Sequence, residues 1–290
     1  MRVAVVGAGS WGSAFAGVLR EHGHDVALVG REAPESPEVA AAELLCVAVP
    51  SRVFKEVTLS LPGTVPVVIL TKGLDPGTGK RLSEVVEGRE ALVLSGPNHA
   101  EEIEQGLPAA AVLASENEEL AAGLQHEIHS LRFRVYVNTD VVGVELCAAA
   151  KNVIALAAGA VDGLEAGDNA KAALITRGLA EMTRLGEACG ARPETFSGMA
   201  GMGDLMVTCW SRHGRNRAAG ELIARGATPE QAADEIGQVV EGLTTAPVLR
   251  ELAHSNGVEL PITEAVCKVL AGASLSQLVS GLMGRRPTDE

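Results

Sequence analysis

A glycine-rich turn near the start of the chain constrains the fold more than any other feature. A β-branched run over residues 2–6 leads into Gly7, Gly9 and Gly12, and a helix-compatible segment, 13–19, follows at once. In this context Gly7 permits a tight turn, Gly9 lets the backbone approach a pyrophosphate, and Gly12 lets the helix pack closely on the strand. The helix N-terminus then offers free N–H groups to phosphates. The turn predicts a dinucleotide-binding unit, with an ordinary strand–helix turn as the alternative.

Composition narrows the class of protein. The chain has 290 residues, of which 47% are hydrophobic, enough for one large domain or two ordinary ones. Apolar runs stay shorter than the roughly 18 residues that a membrane span needs, so no span is expected. A predicted strand at residue 2 leaves no room for a leader peptide, and the five scattered cysteines fit reduced thiols, so we expect a cytoplasmic protein.

Charge and residue usage exclude other functions. The net charge of −13 argues against nucleic acid or an anionic membrane as partner, although a few local cations can still bind an anionic substrate. Aromatic residues make up 2%, too few for base-stacking surfaces. The seven histidines form no recognisable ligand set, so no metal site is expected.

The first half of the chain alternates apolar β-type runs with helical segments, which is typical of a doubly wound α/β sheet. The predicted strands are 2–6, 25–29, 44–49, 66–71, 91–95 and 109–114, with 133–138 as a further candidate. Helices are predicted over 11–22, 51–60, 78–87, 99–106 and 117–130. Several strands are continuously apolar, as expected of parallel strands covered on both faces.

The second half reads as entirely helical. Helices are predicted over 140–160, 168–190, 193–198, 214–225, 228–236, 241–255, 261–271 and 274–282, with a frayed tail from 284. The sequence therefore predicts a Rossmann-type α/β domain over 1–139 and an all-α domain over 140–290.

Lys151 lies in the middle of an apolar, small-residue helical segment. It either extends its ammonium to the surface or serves a function as a desolvated lysine with a lowered pKa, suited to proton transfer near neutral pH. We favour the second interpretation, because Asn152 follows it and a cofactor domain precedes it.

Two further segments of the second half carry candidate chemistry. Residues 198–208 form a glycine-rich loop presenting Asp204, which is either a site carboxylate, a helix N-cap, or both. Residues 211–217 hold the densest cation cluster, with Arg215 and Asn216. Arginine binds phosphate well, so a phosphorylated substrate is favoured over a merely exposed charged turn.

Loops of the first half contribute candidates at the predicted strand ends, where open α/β sheets bind ligands. Lys72 follows one strand, and residues 96–100 follow another. Ser51 is interpreted as an N-cap only, and His99 as a surface histidine at a helix entry rather than a catalytic base.

The end of the second strand bears on the cofactor. NAD enzymes usually place an acidic residue about 20 positions after the glycine turn. Here that place is occupied by Gly30, Arg31 and Glu32. Arg31 suits a 2′-phosphate, so NADP is favoured over NAD, while Glu32 keeps NAD possible.

Taken together, these segments resemble the bacterial NAD(P)-dependent glycerol-3-phosphate dehydrogenases. The matching motifs span nearly the whole chain in family order: GAGSWGSA at 7–14, TKGL at 71–74, GPNHAEE at 96–102, KNVIALAAGAVDGL at 151–164, GDNAKAALITRGLAEMTRLG at 167–186, TFSGMAGMGDLMVTC at 195–209, GRNR at 214–217 and VVEGLTT at 239–245.

The resemblance implies roles for particular residues and a reaction, the reduction of dihydroxyacetone phosphate to sn-glycerol 3-phosphate for phospholipid synthesis by a homodimer. Lys151 is then the catalytic proton donor and acceptor. The substrate contacts implied are Lys72, Gly96, Asn98, Lys151, Asp204, Gly214, Arg215 and Asn216. The cofactor contacts implied, besides the three glycines of the turn, are Ser10, Trp11, Arg31, Lys72, Ala100, Arg215, Val239 and Glu241.

The chain departs from the family at three places. Gly214 replaces the usual serine, and Asn98 stands where a small hydroxyl residue is common. Between Arg31 and Leu44 the family carries a longer excursion with an extra strand, so we expect a sheet trimmed beyond its second strand and a more open adenosine pocket.

Two other functions stay open. One is a relative acting on a non-phosphorylated hydroxyacid, in the manner of β-hydroxyacid dehydrogenases or ketopantoate reductase; the glycine-rich loop with Asp204 and the Arg215–Asn216 pair argue against it. The other is a non-catalytic NADP sensor, against which the intact Lys151 and Asp204 argue.

Overall fold

The structure, a computed structural model, describes residues 1–275 and contains a seven-stranded sheet followed by helices. The strands are β1 Arg2–Val6, β2 Asp25–Val29, β3 Leu44–Val47, β4 Val67–Ile69, β5 Ala91–Ser95, β6 Ala109–Ala114 and β7 Phe133–Asn138. Their order is β2-β1-β3-β4-β5-β6-β7. All seven predicted strands are present, which confirms the α/β class.

The helices between the strands are short. They are α1 Ser10–Glu21, α2 Pro37–Ala40, α3 Ser51–Leu59, α4 Ala100–Glu104 and α5 Glu118–Ile128. The helix predicted over 78–87 is wrong: only a 3-10 turn, Leu82–Val85, forms there. The carboxylate of Asp75 accepts the backbone N–H and hydroxyl of Thr78, and Gly79 has a φ of +72°, so the backbone turns locally instead of continuing as a helix.

After β7 the described chain is helical. The elements are α6 Val141–Gly163, α7 Asp168–Ala188, α8 Pro193–Ser197, a π-helical turn Met199–Gly203, α9 Asp204–Trp210, α10 Arg215–Ala224, α11 Pro229–Ile236, α12 Glu241–Ser255 and α13 Pro261–Leu270. The glycine-rich loop expected over 198–208 is thus wrong, because the π-helical turn and α9 occupy it. The helix predicted over 274–282 lies outside the described residues except for residues 274 and 275. The tail predicted to be frayed lies wholly outside them.

The sheet is parallel from β2 through β5, but β6 pairs antiparallel with β5 and parallel with β7. The connection from β5 to β6 contains only the five-residue α4. Such a helix rises about 7.5 Å, too little to carry the chain back along a strand of this length. The chain therefore reverses direction, and the carboxyl ends of β1 to β5 share one edge.

The edge of the sheet at β2 is trimmed, as expected. Only the four-residue α2 lies between β2 and β3, and within residues 1–275 β2 pairs with β1 alone. The adenosine side of a dinucleotide site would therefore lack the strand that usually flanks it.

The core has two parts, one on each face of the sheet. Val3 and Val5 face Phe15 and Leu19 of α1, whereas Ala4 and Val6 belong to the cluster that continues into α6. By length and composition alone, helix α6 could span a membrane, but 94% of its most apolar 18-residue stretch is buried inside the protein. It is the core helix on which the second half of the chain packs.

Two glycines bring α6 and α10 into backbone contact. A Cβ at Gly159 would lie 1.8 Å from Arg217 O, and one at Gly220 would lie 1.9 Å from Leu156 O. This close approach fixes α10, whose first residues are candidates for the site, against the helix that carries Lys151.

Gly159→Ala should therefore lower the free energy of unfolding by about 3 kcal/mol, since the added methyl meets rigid backbone. Urea denaturation measures the change. The matched control is Gly17→Ala in α1, where a Cβ meets nothing within 4 Å. That variant should be as stable as the parent or up to about 1 kcal/mol more stable. Equal stability of the two variants would contradict the packing described.

Candidate active site

The glycine turn is built as its spacing requires. Gly7 has a φ of +113°, and a Cβ there would lie 2.4 Å from Ala48 O. A Cβ at Gly12 would lie 1.9 Å from Gly7 O, whereas Gly9 faces open space. Gly7 and Gly12 therefore shape the turn, and Gly9 leaves room for a group to approach the backbone at the start of α1.

Lys151 is buried rather than extended to the surface. Its Nζ donates to Thr208 Oγ1 at 3.1 Å and forms a shorter hydrogen-bonded ion pair with Asp204. Burial lowers the pKa of Lys151 to about 7, although the negative charge of Asp204 offsets part of this effect. Near neutral pH the group can therefore give up a proton as the ammonium or take one as the neutral amine.

Asp204 binds a second lysine. Lys72, which follows β4, donates to Asp204 Oδ2 at 3.0 Å, to Asn98 Oδ1 at 2.7 Å and to Gly96 O at 3.0 Å. Burial opposes ionisation of Asp204, but the charges of Lys151 and Lys72 outweigh it and lower the pKa of Asp204. The N-cap interpretation of Asp204 is wrong, because Gly203 precedes α9 and the Asp204 carboxylate is engaged by the lysines.

Gly96 and Asn98 support this cluster from the end of β5. Gly96 has a φ of +141°, and a Cβ there would lie 2.8 Å from Ala110 O, so its carbonyl reaches Lys72 only because the residue is glycine. Asn98 is buried, and its Nδ2 has no hydrogen-bond partner within residues 1–275. Asn98 lines the cleft, so this unpaired donor is available to a ligand that comes within hydrogen-bond distance.

Asn152, which the sequence analysis did not assign to the site, joins the two halves of the cleft. Its Nδ2 donates to Lys72 O at 3.1 Å, and its Oδ1 accepts from Asn216 Nδ2 at 2.9 Å. Asn216 Oδ1 in turn accepts the N–H of Gly242 at 2.8 Å. The only sequence signal for Asn152 was its place next to Lys151.

A hydrogen-bonded carboxylate also links the two halves of the chain. Glu241, at the start of α12, accepts Ser51 N–H at 3.0 Å and Ser51 Oγ–H at 2.6 Å. Burial raises the pKa of Glu241, although both hydrogen bonds from Ser51 oppose the rise. The interpretation of Ser51 as an N-cap is wrong, since Ser51 is the first residue of α3 and its hydroxyl donates to Glu241.

Two arginines of the cation cluster at residues 211–217 have different surroundings. Arg215, at the start of α10, lines the cleft and donates to Gln238 Oε1 at 3.2 Å. Arg217 instead pairs with Asp162 and Glu221 at 2.9 Å each, so it belongs to a structural network. A Cβ at Gly214 would lie 2.7 Å from Thr208 O, so the serine usual in the family would not fit this backbone unchanged.

One cleft brings most of the predicted site residues together. Those lining it are Gly9, Ser10, Trp11, Lys72, Asn98, Ala100, Lys151, Asp204, Gly214, Arg215, Asn216, Val239 and Glu241. Gly7, Gly12 and Gly96 are not among the residues that line it. Arg31 lies exposed beyond the end of β2 and outside the cleft lining.

The cleft also contains residues that were missed or set aside. Thr208 lies one helical turn after Asp204, a spacing that puts both on one face of α9. His99 lies at the entry of α4 as predicted, but its interpretation as a surface histidine is wrong: it is half-buried and lines the cleft, and burial, together with the charge of Lys151, lowers its pKa. No group of three or more metal-ligating side chains occurs in the described part of the chain.

Removing the charge of Asp204 tests the lysine cluster. Asp204→Asn leaves the buried Lys151 and the partly buried Lys72 without a counterion, so we expect about 3 kcal/mol less stability in urea. The pKa of Lys151 should also fall below about 7, because the attraction that holds it up is lost. An NMR titration of the Lys151 Cε signal measures this. Asp168→Asn, an exposed carboxylate at the start of α7, is the control; an unchanged Lys151 titration in Asp204→Asn would refute the pairing.

Comparison with known proteins identifies the family. The model of the NAD-dependent glycerol-3-phosphate dehydrogenase C-terminus matches residues 140–280, and that of the N-terminus matches 2–41 and 36–121. The two N-terminal pieces meet in the segment between β2 and β3, where the sheet is trimmed.

Individual relatives match over nearly their whole length. Glycerol-3-phosphate dehydrogenase [NAD(P)+] from Desulfitobacterium hafniense is 44% identical, with 98% of this chain and 91% of the relative covered. The protein of the same name from a Thermotoga strain is also 44% identical, with 100% and 99% covered.

A solved structure agrees with them. Crystalline glycerol-3-phosphate dehydrogenase from Coxiella burnetii superposes with a TM-score of 0.91 at 36% identity, covering 98% of each chain. Sequence and structure comparisons thus converge over both halves of the molecule, and the chain belongs to the NAD-dependent glycerol-3-phosphate dehydrogenase family.

Proposed function

We propose that the chain catalyses the reversible reduction of dihydroxyacetone phosphate to sn-glycerol 3-phosphate with a nicotinamide dinucleotide, as a step toward glycerophospholipids. The observation that carries the proposal is the buried Lys151–Asp204–Lys72 cluster in a cleft beside the glycine turn. In this proposal residues 1–139 bind the dinucleotide and residues 140–290 supply most of the substrate site.

The chain has a place for the cofactor. Gly9 is open to the approach of a pyrophosphate, and the first turn of α1, from Ser10, offers N–H groups to it. Trp11, Ala100, Arg215, Val239 and Glu241 would hold the rest of the molecule along the cleft. A reduced nicotinamide, when bound, supplies the hydride.

The substrate would be held by positive charge and by free donors. Arg215 and the N-terminus of α10 suit the phosphate group, and the unpartnered Asn98 Nδ2 suits a substrate oxygen. With Lys72 and Lys151 both charged, Asp204 neutralises only one of them. The remaining positive charge stabilises the oxyanion that develops as the ketone is reduced.

Lys151 would protonate that oxyanion. Its pKa near 7 keeps a large fraction in the proton-donating form at neutral pH and lets the neutral amine act as base in the reverse direction. Thr208 and Asp204 hold the ammonium, so the proton is delivered from a fixed position.

Other parts of the proposal come from the sequence. The preference for NADP over NAD, which depends on Arg31, stays a prediction, as do the homodimer and the cytoplasmic location. The five free cysteines, four of them buried, agree with a reducing compartment.

A substrate panel with Lys151→Ala tests the function. The parent protein should oxidise NADPH or NADH with dihydroxyacetone phosphate but not with non-phosphorylated keto acids. Lys151→Ala should lower kcat by at least about 100-fold, the usual contribution of a general acid, while dinucleotide binding stays intact.

The matched control is Lys80→Ala, an exposed lysine outside the cleft, which should retain full activity. Turnover of a hydroxyacid without turnover of dihydroxyacetone phosphate would favour the hydroxyacid dehydrogenase alternative. Unchanged turnover in Lys151→Ala would remove Lys151 from the mechanism, and cofactor binding without any turnover in the parent protein would favour the sensor.

The rates of ketone reduction and of alcohol oxidation should depend oppositely on pH. Lys151 is protonated below its pKa of about 7 and neutral above it. Ketone reduction needs the protonated form, so its kcat should fall as pH rises through about 7, whereas alcohol oxidation should rise over the same interval. Steady-state rates from pH 5.5 to 9 measure both, and profiles that move in the same direction would contradict the assignment.

A further inference from the structure

The end of β2 lies directly beside the glycine turn. Val6 and Val29 are paired in register, and the N–H of Gly7 donates to Val29 O at 2.8 Å. In sheets that bind dinucleotides, the side chains at this place meet the adenosine ribose and decide which group is accepted on its 2′ position. The side chains of residues 30–33 are therefore the ones that would meet this part of a bound dinucleotide.

The two charged residues at this place, Arg31 and Glu32, are the central residues of a tight turn. Ala33 N–H donates to Gly30 O at 3.1 Å, which closes a four-residue turn. Arg31 and Glu32 are both exposed, and neither makes a hydrogen bond or ion pair within residues 1–275. Glu32, the next residue in the turn, folds back over Gly30.

The carboxylate of Glu32 fills the space that a side chain at residue 30 would occupy. A Cβ built on Gly30 would lie 1.9 Å from Glu32 Oε1 and 2.6 Å from Glu32 Oε2. Because residue 30 is glycine, a carboxylate from two residues further on reaches the end of the strand. NAD-binding sheets place their acidic residue at this position.

The chemistry of a carboxylate at this position is selective. An ionised carboxylate accepts hydrogen bonds from the ribose hydroxyls but repels a 2′-phosphate. In the described residues no strand lies outside β2, and the segment that follows contains only α2. Arg31 is then the one cation of residues 30–43 that could offset this repulsion, and the same segment contains four carboxylates. Arg31 and Glu32 are both exposed to solvent, so the position of each group, and not its burial, decides which one a ribose would meet.

We propose that Glu32, seated over Gly30, makes the chain select NAD(H) over NADP(H). The inference rests on the proposed function, since it presumes a dinucleotide at the glycine turn. It assigns the choice of cofactor to Glu32 and opposes the preference for NADP that Arg31 alone predicts.

Isothermal titration of the full chain with NADH and with NADPH measures the preference without requiring catalysis. The parent protein should bind NADH at least about tenfold more tightly than NADPH. Glu32→Gln removes the charge and should reduce that advantage to about threefold or less. The matched control, Glu35→Gln, makes the same charge change at an exposed residue of the same segment and should keep the full advantage.

Gly30→Ala separates the position of the carboxylate from its charge. The added methyl would occupy the place of the Glu32 carboxylate and displace it, while the net charge stays the same. This variant should therefore lose the NADH advantage as Glu32→Gln does, although Glu32 is still present.

Two results would overturn the inference while leaving the proposed function intact. One is tighter binding of NADPH by the parent protein, with Arg31→Ala weakening it, which would assign the choice to Arg31. The other is a full NADH advantage in both Glu32→Gln and Gly30→Ala. Failure of the parent protein to bind either dinucleotide would overturn the proposed function as well.

Discussion

The carboxylate of Asp204 between two lysines is the interaction on which the site depends. Asp204 is 1% exposed and Lys151 is 4% exposed, so neither charge is solvated by water. A buried charge is tolerated only when its partners are in place, and here they come from the end of β4, from α6 and from α9. The folding of sheet and helices together is therefore also what brings these three charges together.

Polar side chains extend that assembly across the molecule. The hydrogen bonds from Lys72 O through Asn152 and Asn216 to Gly242 connect the sheet to α12 by way of α6 and α10. A second connection is the fully buried Glu145 of α6, which accepts hydrogen bonds from residues 81 and 83. Because these groups satisfy one another's hydrogen bonds, the elements that form the walls of the cleft are linked to one another.

The sequence was most informative where a local pattern has a single physical meaning. All seven strands were found, since buried strands are short apolar runs, and a lysine in an apolar helix proved to be buried with a lowered pKa. Sequence patterns did not predict the features that depend on contacts between residues far apart in the chain. The reversal of β6, the π-helical turn before Asp204, and the pairing of Ser51 with Glu241 across 190 positions leave no periodic signal in the residues themselves.

The end of β2 shows the same division on a small scale. The residues Gly30, Arg31 and Glu32 by themselves determined that two opposite charges lie at the predicted end of the second strand. The glycine turn determined that a dinucleotide is expected beside them. Only the tertiary structure decided which charge occupies that place. The reason is steric: the tight turn leaves both side chains exposed, but the missing Cβ of Gly30 leaves a space at the end of the strand that the Glu32 carboxylate fills.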